Sequence, residues 1–227
     1  MRPLLALSLT GLAAACQVPP ATPAIPWLHG LTDPVSSNLE SDEVARRIDT
    51  WSVYSDVDPE CSTGAYPGIA IEADVAPTPG LETVMVSLAH GIVVVDREGE
   101  LVTEAPGYHC EGSADELEAI AAGNAFGVPT IAIAVTSGGH RESSTWVSLF
   151  RVDGRRLDPV FTETVEERSG TTVRRGAIFL LPDALLYQNP RGATSVWPYN
   201  ADARAYVQPG AELDYTHDGP DSILSAR

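Results

Sequence analysis

Three cysteines, Cys16, Cys61 and Cys110, carry the most pointed chemistry in this chain. In an oxidising compartment only two of the three can pair, so the third needs a use of its own. Cys61 and Cys110 would close a loop of about 50 residues, worth roughly 4 kcal/mol in the chain-entropy account of disulfides. The same two residues also suit a pair of buried free thiols. Neither has a partner at CxxC spacing, the local pairing typical of structural zinc. Pairing them leaves Cys16, at the end of an apolar run, for a modification.

The densest polar group is the run from Ser137 to Ser144, in which Gly138 and Gly139 precede His140, Arg141 and Glu142. His140 would titrate near neutral pH and Arg141 could clamp an anion, so with an acid brought in by the fold this loop would serve a hydrolase. Glycine, serine and charge are also what an exposed hairpin tip contains, and that is the preferred expectation. Asp56, Asp58 and Glu60 alternate and would share one side of an extended segment, but they lack the glycine and further oxygen donors of a calcium loop. Asp214, His217, Asp218 and Asp221 suit a frayed acidic tail. Trp146, Phe150, Phe179 and Trp197 could form a sugar platform, yet aromatics inside strands usually fill cores or cross-strand pairs. No G-x-S-x-G, H-E-x-x-H, P-loop or G-x-G-x-x-G motif is present. The expectation is a protein with no catalytic residues, no metal and no cofactor, leaning away from an enzyme.

Charge narrows the partners. The chain of 227 residues has 31 Asp plus Glu against 14 basic residues, all of them Arg, for a net charge of −17. Nucleic acid is excluded, because its phosphates need cationic partners. Docking through a polybasic patch to anionic lipid is disfavoured for the same reason. With 44% hydrophobic residues the chain is long enough and apolar enough for one globular domain.

The N-terminus has three parts: Arg2 is positive, Leu4 to Leu12 is apolar, and Ala13-Ala14-Ala15 ends the run in small residues before Cys16. That is the layout of a secretory signal, and it is shorter than the roughly 20 apolar residues of a spanning helix. An ordinary secretory cleavage site fits too. The small residues followed at once by cysteine resemble the lipobox of bacterial lipoproteins. That family usually has Leu three places before the cysteine, where this chain has Ala13 with Leu12 one place earlier. The resemblance implies that Cys16 takes a diacylglyceryl group and becomes the mature N-terminus, so the membrane is a partner through that lipid. Gln17 in place of Asp resembles the enteric sorting pattern and implies outer rather than inner membrane. Any protein or ligand partner stays open.

The elements follow. Prolines from Pro19 to Pro34 predict a stiff tether over 16–40. Val44, Ile48 and Trp51 are spaced for a short amphipathic helix. From Pro67 onward short apolar runs separated by turn residues predict strands, with hairpins at Asp96–Gly99, Asp153–Gly154 and Asn189–Gly192. Ser113 to Glu116 reads as a capping box, with Leu117 and Ile120 three apart and Gly123 as a stop, so a helix is expected there. The stretch Ile120–Gly127 leading into Pro129–Val135 loosely resembles an FG-GAP propeller blade. A blade would place a strand at Glu116 to Gly123; the helix is preferred over it for the capping box. Asn124, Ala125 and Phe126 stand where that family has the aspartates of its calcium loop, so the family's metal site is not implied. The expected fold is mainly β, antiparallel, as a partial propeller or a sandwich with one short helix. It comprises a signal peptide over 1–15, the tether, one β-rich domain over 41–210 and an acidic tail over 211–227. The function expected is an envelope lipoprotein that binds a partner or plays a structural role; the alternative is a hydrolase using the His140 loop.

Overall fold

The segment Ile131-Ala132-Ile133-Ala134-Val135 is apolar at every position, which a strand tolerates only when both of its faces are covered. A computed structural model, which describes residues 25–51, 67–77, 80–106, 115–139 and 141–208, shows how they are covered. The segment belongs to β9 (Val128–Gly138) in a six-stranded central sheet. Its order is β12 (Thr172–Arg175), β11 (Arg156–Ser169), β10 (Glu142–Asp153), β9, β8 (Glu116–Ala125) and β2 (Thr32–Ser37). All of its ladders are antiparallel.

One face packs on an N-terminal sheet of β3 (Glu40–Ser41), β4 (Gly68–Ala73), β5 (Glu82–Ser87), β6 (Gly91–Val95) and β7 (Leu101–Ala105). Ile131, Ile133 and Val135 meet Ile69, Val84, Val86 and Val94 in this seam. The other face packs on a C-terminal sheet of β1 (Leu28–His29), β13 (Ala177–Leu180), β14 (Ala184–Gln188), β15 (Thr194–Asn200) and β16 (Ala205–Tyr206). Here β9 presents Ala132 and Ala134, and β8 presents Ala119 and Ala121. These small residues leave room for the edge-to-face cluster of Phe161, Tyr187 and Trp197, with ring centroids 5.1 to 6.2 Å apart. The fourth layer is α1 (Asp42–Trp51), whose Val44 and Ile48 cover Met85, Val93 and Val95 on the outer side of the N-terminal sheet. The fold is thus mainly β, antiparallel, with one short helix; among the described residues one pairing, of β1 with β13, is parallel.

The three expected hairpins are present. Asp96 accepts the Glu100 N–H at 2.7 Å, Asn189 accepts those of Arg191 and Ala193 at 3.0 Å, and Gly99, Gly154 and Gly192 all have positive φ.

Three expectations are corrected. The helix expected over Ser113–Gly123 is strand β8 from Glu116 onward. A β-bulge between Leu117 and Ala119 places Leu117 and Ile120 on the same face, so a spacing of three that imitates a helix arises inside a strand. The tether expected to residue 40 is folded from Ile25, which is 2% exposed, through β1, β2 and β3. Pro34 is accommodated because β2 is an edge strand, where a missing N–H costs no ladder bond. Among the aromatics, Phe150 is buried and Trp146 and Trp197 pack against the seams, but Phe179 points outward and is 37% exposed.

Candidate functional site

The chain changes sheets between β2 and β3. Ser37 pairs with Ile120 in the central sheet, and after a two-residue corner Glu40 pairs with Ile69 in the N-terminal sheet. A cleft of about 660 Å³ opens at this corner, between Asn38, Leu39 and Glu40 on one side, Pro67 and Leu88 on another, and the run Asp115–Glu118 on a third. Four of these nine residues are acidic: Glu40, Asp115, Glu116 and Glu118. Burial, and then the charges of Glu116, Glu118 and Asp42, push the Glu40 carboxyl above its usual range. Asp115 Oδ1 is buried with no hydrogen-bond partner among the described residues. Carboxylates gathered without a described cation favour a positively charged group and repel phosphate or acidic polymers. They do not make a metal site: among the described residues no three His, Cys, Asp or Glu side chains converge on one point.

A second, smaller cleft of about 120 Å³ lies at the other end of the strands, in the seam between central and C-terminal sheets. Arg151 stacks there over the Tyr199 ring at 4.2 Å, and Tyr199 meets Tyr206 edge to face. Burial raises the Tyr206 phenol, partly offset by Arg151. The stacking already occupies the guanidinium face.

The residues singled out in the sequence distribute as follows. Cys16, Cys61, Cys110 and His140 lie outside the described residues, as do Asp56, Asp58 and Glu60 and the C-terminal group from Asp214 to Asp221. Arg141 and Glu142 are exposed beside the tip that joins β9 to β10, the hairpin expected there. Gly138 shapes that tip: its φ is +113°, and a Cβ on it would collide with the Glu142 carbonyl. Gly170, in the hairpin that joins β11 to β12, donates to the Arg141 carbonyl at 2.7 Å, so two tips are tied together. Of the other histidines, His29 stacks on Phe179, and His90 stands 3.8 Å from Asp49.

The acidic corner was not foreseen. Its signal is present, because Glu116 and Glu118 alternate about Leu117 as neighbours on one side of a strand do, but the helical expectation hid it. Glu82 was also missed. It is 1% exposed and accepts the N–H groups of Val75 and Ala76 at 2.9 and 3.1 Å, fixing the chain after β4. Compared with protein-family models, with curated proteins and with solved structures, the chain has no match.

The raised Glu40 carboxyl has a pH signature. A carboxyl with a higher pKa folded than unfolded binds more protons in the folded state between those two values. Its folded form is therefore favoured at low pH, and that advantage is lost as pH rises through the folded pKa. Glu40→Gln should raise the melting temperature at pH 7 and leave it unchanged at pH 3, as thermal unfolding at the two pH values would show. A lowered melting temperature at pH 7 would mean that the carboxylate is paired rather than repelled.

Proposed function

We propose that this chain is a lipoprotein of a bacterial cell envelope, anchored through a lipid on Cys16, whose β domain is a binding or structural module rather than an enzyme. The observation that carries this reading is the join between signal and fold: Ala13-Ala14-Ala15-Cys16 ends a short apolar run, and nine residues later Ile25 is already packed in the core. A mature N-terminus at Cys16 would leave the folded layers intact and keep a leash of at most about 30 Å. Among the described residues no helix is long and apolar enough to cross a membrane, so on this reading the lipid holds the protein. Gln17 after the cysteine supports the outer membrane as its destination. The acidic corner is the surface a partner would meet, and its carboxylates favour a partner that brings positive charge.

A disulfide between Cys61 and Cys110 belongs to the same proposal, because export places thiols where oxidation is favoured. Support comes from the described flanks. Gly68 pairs with Ser87, Ser87 with Gly91, and Ile92 with Ala105, so β4 begins and β7 ends at the same end of the N-terminal sheet. Across three strand spacings the separation is about 14 Å. The seven residues back to Cys61 and the five on to Cys110 can bridge it with chain to spare.

Cys16→Ser should abolish incorporation of a labelled fatty acid and release the domain in soluble form on fractionation; label retained in that variant would sink the anchor. For the disulfide, mass spectrometry of protein isolated from the envelope without reduction should find Cys61 and Cys110 in one linked peptide pair. Two alkylated thiols would reject the link.

A further inference from the structure

Among the described residues no other layer covers the outer face of the C-terminal sheet. Ile178, Leu180, Leu185 and Tyr187 point into the seam, so their alternating neighbours point out. The register lines up His29, Phe179, Leu186 and Val196 as one cross-strand row over β1, β13, β14 and β15. His29 stacks on Phe179 with ring centroids 4.7 Å apart, extending the row to the sheet edge. Leu181 and Pro198 flank it, on either side of Ala184. Phe179, Leu181 and Val196 are exposed. None of the strand residues that project from this face is Asp, Glu or Arg, in a chain whose net charge is −17. A contiguous uncharged apolar face of this kind marks a contact surface.

We propose that this face rests on the lipid surface beside the anchor, an inference that rests on lipid attachment at Cys16. The argument is where the leash joins the fold. Ile25 lies in the turn that leads into β1, the edge strand of this same sheet, and the Leu28 N–H closes that turn on the Ile25 carbonyl. A lipid at Cys16 therefore keeps the C-terminal sheet within about 30 Å of the headgroups. With sheets packed about 10 Å apart, the acidic helix α1, carrying Asp42, Glu43 and Asp49, lies some three layers farther off. A strongly acidic protein can approach a bilayer most closely through a face without carboxylates. Phe179, Leu186 and Val196 then cover acyl-chain boundary instead of water, and the acidic corner stays clear of the lipid.

The test uses the chain from residue 16 onward with Cys16→Ser, so that the lipid plays no part, and flotation with phosphatidylcholine vesicles. The protein should bind weakly and reversibly, and Val196→Glu or Phe179→Glu should lower the bound fraction about tenfold with unchanged melting temperature. Both positions are exposed, so the fold tolerates either change. No binding by the protein with an intact face, or equal binding by the variants, would overturn the proposal. So would sedimentation showing a dimer that Val196→Glu dissolves, since a second copy would then cover the face. Fatty-acid labelling of the full chain reads the anchor separately: label at Cys16 without vesicle binding rejects the face and keeps the anchor, and the absence of label rejects the anchor.

Discussion

Burial of the central sheet on both faces is the constraint on which the other layers depend. Over Thr130–Val135 the strand β9 has no water-facing side, so every side chain there must fit a neighbour of complementary size. The chain meets this by segregating size across the sheet. Ile131, Ile133 and Val135 interdigitate with the branched residues of the N-terminal sheet, while Ala132 and Ala134 admit the bulky rings of Tyr187 and Trp197 from the C-terminal side. Two sheets of unlike composition can then sit on one central sheet. The N-terminal sheet is itself buried on both sides, by the central sheet and by α1, so its strand β6 is apolar throughout as well.

That stacking decides where function can lie. Among the described residues the N-terminal sheet is covered on both sides, and the central sheet is open at its ends and edges. The acidic corner occurs where the chain steps from β2 in one sheet to β3 in the next, a place where the sheets cannot both be fully paired and a cleft opens. Among the described residues the outer side of the C-terminal sheet, the last layer of the stack, is also open. Corner and open face lie on different layers, so one partner can be engaged while the other surface is occupied. In the reading proposed above, the first meets a cationic partner and the second lies against lipid.

Much of this architecture was legible in the sequence. The hairpins at Asp96–Gly99, Asp153–Gly154 and Asn189–Gly192 are written in local turn chemistry, which tertiary packing does not override. The helix over Asp42–Trp51 follows from the spacing of Val44 and Ile48. Strand β8 lost to a helix in the sequence reading, because a bulge spaced Leu117 and Ile120 like residues on a helix and the cap signal at Ser113–Glu116 agreed with it. The early strands escaped because the proline content of residues 19–34 suggests a tether, whereas β1 and β2 are held by pairing with β13 and β8, more than 80 residues away. The acidic corner depends on the same long-range pairings: the alternation of Glu116 and Glu118 is local, but only the pairings of β2 with β8 and β3 with β4 bring Glu40 beside it. Phe179 shows the limit of composition: an aromatic residue in a strand reads as core, but which face it occupies is set by register.

The layered arrangement requires the second buried face of the central sheet, and Ala134→Leu tests it most directly. Ala134 is fully buried in the seam with the C-terminal sheet. If that seam is packed as described, three added carbons must displace the aromatic cluster, and urea denaturation should show a loss of about 1 to 3 kcal/mol. A variant of unchanged or increased stability would mean that the alanine face of β9 is not covered, and would contradict the layered arrangement from which the cleft and the open face were derived.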